Sequence, residues 1–295
     1  MRKIKLVASY ILTFITILFF FMGVSLGVLT QTLLNQNFMI SAIDTSGYIE
    51  TITREINEEI ADLARASNLP PERLTSAVSE SVVEDNVHAF IRAIYTDVPF
   101  TLSGQAEITH NLETIITQVA DERGLDISTH EAQEPIQRFI QESLIRYERY
   151  IEIPILLTYA RQIMSFKGTL TIILVMVGVF GLILAIGSIL TSGRWRHVKI
   201  RMVSTIFGGT GLMLATLPLY LQMSGYVERL GVRSSSLYDF IVVYISSFIR
   251  TFISLGFVFL AIALMIFFLS EHTRKRVAKK PKIMIERQAE YGRNY

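Results

Sequence analysis

Three consecutive serines, Ser234, Ser235 and Ser236, stand close to Glu228, Arg229 and Arg233. A serine acts as a nucleophile when a base takes its proton and a third group orients that base. No base lies near in sequence, so this loop carries no catalysis by itself. His88, His110 and His130 lie in the long segment between the first two apolar runs, with Glu84, Glu113 and Glu131 beside them. Zinc needs three or four such ligands brought together. There is no H-E-x-x-H and no histidine pair at helical spacing, so these read as scattered surface histidines. Glu55, Glu58, Glu59 and Asp62 cover one helical face, and Glu84-Asp85 add a pair. Calcium would want a D-x-[DN]-x-[DN]-G loop, and none occurs, which leaves a solvated polar face. The chain has no cysteine. Disulfides, thiol catalysis, cysteine zinc sites and S-palmitoylation are thereby excluded. The residues call for no metal and no cofactor.

The elements that hold these groups are dictated by where charge is missing. Residues 6–43, 168–193, 202–227 and 251–270 contain no Asp, Glu, Lys, Arg or His. A helix of about 20 apolar residues crosses a bilayer core. The expected fold is therefore all-α, a polytopic membrane protein with four transmembrane helices. Its parts are a 1–5 N-terminus, helix 6–34, an acidic helical domain 35–167 and helix 168–193. A basic loop 194–201, helix 202–223, a loop with a helix extension 224–250, helix 251–270 and a basic tail 271–295 follow.

Charge sets the orientation. Arg2, Lys3 and Lys5 precede the first run, and Arg194, Arg196, Lys199 and Arg201 separate the second from the third. The tail includes Arg274, Lys275, Arg276, Lys279, Lys280 and Lys282. The 35–167 insert holds 10 basic and 21 acidic residues, a formal charge of −11. Basic loops stay in the cytoplasm. Both termini are expected inside and the insert outside, in a plasma membrane. The absence of any Asn-x-Ser/Thr acceptor agrees with a bacterial envelope. The first run is too long for a cleaved signal peptide and reads as a signal anchor. If helical throughout, its 38 residues would extend ~57 Å, so it should protrude outward near residues 31–36.

Inside the insert, spacing predicts about four helices. The first covers 48–67 on the stripe Ile52, Ile56, Ile60 and Leu63. The second starts at Pro71 and uses Leu74, Val78, Val83, Val87, Ile91 and Ile94. Ser103 is placed to cap the third, which uses Ile108, Leu112, Ile115 and Val119 and ends at Gly124. Ser128 and Glu131 have capping-box spacing ahead of the fourth, whose stripe is Ile136, Ile140, Leu144, Tyr147 and Ile151. Pro154 should kink or restart the approach to the second span, and 155–166 should bridge insert and membrane.

Within the spans, Gly23/Gly27, Gly181/Ala185 and Gly211/Ala215 are small pairs four apart, with Gly208-Gly209 close by. Small residues let helices approach closely in lipid. They serve packing within this chain or contact with another chain. Pro218 beside the 208–211 glycines is the one hint of a broken transporter helix. The spans otherwise lack the ionisable residues of a proton relay. Arg250 is expected at a membrane boundary, where it meets headgroups or an acid of the insert. The basic tail suits anionic lipid of the inner leaflet, and no nucleic acid partner is indicated. The layout resembles permeases of the FtsX and MacB type in topology alone; their cytoplasmic coupling segments have no counterpart here. Topology does not establish function, and no family is assigned. The expected role is a non-enzymatic envelope protein whose helical domain binds, senses or scaffolds a partner membrane protein or a second copy. The alternatives are a subunit of a transport or export complex, and an enzyme acting on lipid or cell-wall precursors.

Overall fold

The computed structural model describes residues 2–96, 98–152, 162–192, 196–232 and 234–291, with side chains described within the stretch 7–275. The described residues are helical and contain no strand. They form two compact units. One comprises Met1–Thr30, Gly168–Val227 and Ser246–Tyr295, and the other Gln31–Lys167 with Glu228–Ile245.

The first unit is built on helices long and apolar enough to cross a membrane. They are α1 (Arg2–Gln31), α7 (Lys167–Thr191), α8 (Arg196–Met223) and α9 (Ser235–Tyr291). Their outward surfaces carry Phe180, Leu190, Leu212, Leu217 and Phe268, all exposed. Their contacts use small and hydroxyl-bearing residues instead, as expected where lipid is as apolar as leucine. Thr16 of α1 and Ser188 of α7 share a hydrogen bond at 3.0 Å, and both are buried. Ser204 Oγ donates to Ala263 O at 2.7 Å, and Ser270 Oγ donates to His197 O at 2.8 Å. These two bonds tie α8 to α9 at separate levels. Phe207 stacks on Phe259 at 5.3 Å between ring centroids. The Arg201 guanidinium lies 5.7 Å from the centre of the Phe267 ring. α8 runs unbroken through Pro218, so the broken helix suggested by sequence is not formed.

The second unit is the insert domain. Its helices are α2 (Gln36–Thr45), α3 (Tyr48–Ala66), α4 (Glu80–Thr96), α5 (Gln105–Arg123) and α6 (His130–Ile151), with a 3-10 turn at Pro71–Arg73. The first turns of α9 complete it. Ile56, Ile60, Leu74, Ile91, Ile108, Leu112 and Tyr147 form the centre of one apolar core. Phe240 of α9 belongs to that core, with Leu237, Ile241 and Tyr244 packed on it.

Several local expectations are corrected. The uncharged run 6–43 is two helices, not one protruding helix. The chain turns after Gln31, and the Asn35 side chain accepts the Asn37 N–H at 3.0 Å to start α2. Among the described residues the insert therefore has five α-helices of its own, against about four expected. No helix starts at Pro71 and runs on through Val78. The Asn57 amide accepts the Val78 N–H at 2.9 Å and donates to Val78 O at 3.0 Å. Both backbone groups of Val78 are thus held by a side chain, and α4 begins only at Glu80. Ser103 does not cap α5. Its N–H and hydroxyl both donate to Asn86 Oδ1, at 2.8 and 3.1 Å, and Gly104 at φ 77° precedes the helix. Ser128 donates instead to Asp126 at 2.6 Å, and Thr129 occupies the cap position of α6. The 194–201 segment is not all loop, because α8 already includes Arg196, Lys199 and Arg201. Pro154 and most of 155–166 lie outside the described residues.

Candidate ligand cleft at the start of α9

The insert domain contains a cleft of about 630 Å³. Its walls come from α3, α6 and the start of α9. α3 supplies Tyr48, Ile52, Arg54, Glu55 and Glu58; α6 supplies Arg149 and Tyr150; the start of α9 supplies Ser234, Ser235, Ser236 and Leu237. Helical periodicity explains the α3 set. The apolar stripe through Ile52 and Ile56 faces the core, and residues at its margin line the opening.

Glu55 closes one side. The Ser236 N–H donates to Glu55 Oε1 at 3.2 Å, and Ser236 Oγ donates to Oε2 at 3.0 Å. Ser234 Oγ accepts the Leu237 N–H at 3.3 Å. The first amides of a helix lack partners within it. Here Glu55 and Ser234 satisfy two of them, and the carboxylate suits the positive end of the helix dipole. The serine run is thus a helix start with a carboxylate capped onto it from 181 positions away. Tyr238 O–H donates to Glu228 O at 2.9 Å and fixes the chain entering α9.

Tyr48 is buried, at 4% exposure, with its ring 5.8 Å from that of Phe240. Burial, then the neighbouring Glu55 charge, raises its pKa above the usual tyrosine range. Its hydroxyl has no hydrogen-bond partner among the described residues. Tyr150 is raised by burial first and then by Glu59 and Glu55. Arg54 pairs with Glu58 at 3.2 Å, both side chains being well exposed. Arg149 is exposed and forms no ion pair among the described residues.

The other sequence candidates fall elsewhere. His88 Nε2 meets Asp44 at 2.7 Å, joining α4 to α2. No group of three metal-ligating side chains occurs among the described residues. Of the acidic face, Glu59 pairs with Arg146, and Asp62 with Arg65 at 2.6 Å. In the bundle, a Cβ on Gly211 would lie 2.8 Å from Gly256 O, and one on Gly256 would lie 2.9 Å from Ala215 Cβ. Gly211 and Ala215 therefore sit where the backbones of α8 and α9 nearly touch. A Cβ on Gly181 would meet Phe19 at 3.6 Å and one on Gly23 would meet Val177 at 3.6 Å, whereas Gly27 has nothing within 4 Å. Ala185 is half-buried on α7. Gly23 and Gly181 line an apolar groove of about 300 Å³ between α1 and α7. Arg250 is exposed on α9. Arg274 pairs with Glu271 at 3.2 Å, and Lys275 is exposed. Arg276, Lys279, Lys280 and Lys282 lie on the backbone of α9 with side chains outside those described.

Sequence reasoning noted Glu55 and the serine run separately and missed Tyr48, Arg149 and Tyr150 as parts of a site. Tyr48 offered one signal, a polar tip at the edge of an apolar stripe. No family model, curated protein or solved structure matches the chain.

Proposed function

We propose that this is a non-enzymatic bacterial envelope protein, held in the plasma membrane with both termini in the cytoplasm. Its insert domain lies outside and binds a ligand or partner in the cleft of α3, α6 and α9. The carrying observation is the Glu55–Ser236 pairing, which makes one wall of the cleft from the start of a 57-residue helix. The first eleven residues of α9, 235–245, belong to the insert domain, and the same helix continues into the apolar unit. Occupancy of the cleft therefore acts on an element shared with the membrane-length bundle. Native mass spectrometry of the chain released from nanodiscs tests this reading. The wild type is expected to retain a ligand or partner that Glu55→Arg loses. A chain that flies alone under every mild condition counts against it.

The enzyme reading gains one supporting observation, since insert and 224–250 residues do converge on one cleft. Its one candidate base is Glu55, which takes the Ser236 hydroxyl and N–H together as a helix cap, and among the described residues no histidine lines the cleft. The helix-start role accounts for both bonds, so we favour binding over catalysis.

A further inference from the structure

We propose that the tip of the 98–104 loop, Val98 and Pro99, rests in the lipid of the adjacent leaflet and seats the insert domain on the bilayer. This contact is independent of the cleft and of which side of the membrane the domain faces. Val98 is 56% exposed, and Pro99 beside it is exposed too. The loop behind them is held. Phe100 meets Phe90 edge-on at 5.4 Å between ring centroids, and Leu102 lies against the core. Asn86 accepts the Ser103 N–H at 2.8 Å. Since α4 ends at Thr96 and the loop is back beside Asn86 by Ser103, it doubles back along the helix. Val98 and Pro99 lie at the turning point. Residues 98–106 carry no Asp, Glu, Lys, Arg or His, within a segment of net charge −11.

An isolated exposed valine is ordinary on any surface, so position decides what covers this one. The chain passes between the insert domain and the membrane-length unit at 30/31 and at 245/246. Both junctions meet residues at the end of the domain where α4 finishes. Tyr95 O–H donates to Leu33 O at 2.9 Å. Leu33 is two residues past Gln31, hence within about 7 Å of it. Gln31 closes a helix long and apolar enough to cross a bilayer. Tyr244 stands beside the second junction and meets Phe38 edge-on at 5.4 Å. Tyrosines, with an apolar ring and a polar tip, collect at membrane–water boundaries. Val98 follows Tyr95 by three residues, a reach of at most about 11 Å.

Leu125 supplies the contrast, being 58% exposed at the opposite end of the domain. From the Tyr48–Phe240 contact, α3 runs back along α9 to the Glu55–Ser236 pair, away from the 245/246 junction. It continues to Ala66, about 27 Å of helix from Tyr48. Arg123, two residues before Leu125, donates to Asn68 O at 3.1 Å just past that far end. Two apolar side chains of nearly equal exposure thus mark the two ends, and only the one beside the junctions is within reach of lipid.

The chain lacks cysteine, so Val98→Cys and Leu125→Cys each carry a single nitrobenzoxadiazole label in the full chain, in phosphatidylcholine nanodiscs. The label at 98 is expected to be quenched at least about threefold more strongly by a nitroxide-bearing lipid than the label at 125, and at least about threefold more weakly by aqueous iodide. Adding Pro99→Asp to Val98→Cys should return the label to iodide, because a carboxylate resists entering lipid. A label at 98 as open to iodide as that at 125, and blind to the lipid nitroxide, overturns the contact. Shielding from both quenchers overturns it as well, in favour of a protein cover such as a second copy. Lipid quenching unchanged by Pro99→Asp also overturns it, since the tip would then lie near lipid without being held there. None of these outcomes bears on the cleft, which native mass spectrometry judges separately.

Discussion

Asn86 is wholly buried and serves two segments at once. Its amide nitrogen faces Val82 O at 2.7 Å, Tyr147 Oη at 2.9 Å and Ser103 O at 3.0 Å. Its oxygen accepts from the Ser103 N–H and hydroxyl. One side chain thereby holds the 98–104 loop to α4 and α6. Burial in turn pushes the Tyr147 pKa above the usual tyrosine range, so its hydroxyl stays a neutral partner. Removing the amide takes a partner from the part-buried Ser103 N–H and C=O and from the buried Tyr147 hydroxyl, each loss costing about 1–3 kcal/mol at most. Asn86→Ala should destabilise the insert domain by about 3 kcal/mol. Tyr147→Phe should cost only about 1 kcal/mol, because Asn86 keeps its other partners. Denaturant unfolding of the full chain, followed by circular dichroism, measures both. Equal effects would show that the network is not centred on Asn86. None of this was legible from spacing: an asparagine inside an apolar stripe looks like a break in the pattern, and its partners lie 17 and 61 residues away.

Between α8 and α9 the spacing of the small residues matters less than what faces them. Gly211 and Gly256 each leave no room for a methyl group, whereas Gly27 faces open space. Gly211→Val should force the helices apart and cost about 1–3 kcal/mol, lowering the unfolding temperature in detergent. Gly27→Ala should be neutral or stabilising by about 0.5–1 kcal/mol, since alanine favours the helix. If both changes act alike, α8–α9 contact is not what the 211–215 pair supplies. The sequence displayed three such pairs without distinguishing them, because a spacing rule sees one helix and not its neighbour. The same blindness hid α2. Residues 33–43 are as uncharged as the run before them, so composition alone reads one helix where Asn35 starts a second. The stripes Ile52–Ile56–Ile60 and Ile140–Tyr147–Ile151 were readable because a core-facing helix repeats its burial every turn. The cleft was not, since Glu55 and Ser236 meet only after the fold closes.

For the molecule as a whole, the proposed orientation rests on a charge asymmetry that no single element displays. The segment 35–167 carries −11, while the segments 1–5, 194–201 and 271–295 gather 15 of the 28 Lys and Arg. Moving a loop with that many cations across a bilayer is opposed by both the membrane potential and the insertion machinery's bias. The chain's lack of cysteine turns this into a direct measurement. Gln118→Cys places a thiol on the exposed side of α5, and His272→Cys places one on the exposed side of α9 beyond the apolar run. On intact cells a membrane-impermeant maleimide should label Gln118→Cys and spare His272→Cys. After permeabilisation both should react. Each variant changes one exposed residue, so neither should shift stability by more than about 0.5 kcal/mol. Labelling of position 272 on intact cells, with 118 protected, would invert the orientation. The cleft would then face the cytoplasm, and a ligand from outside could no longer be what it binds.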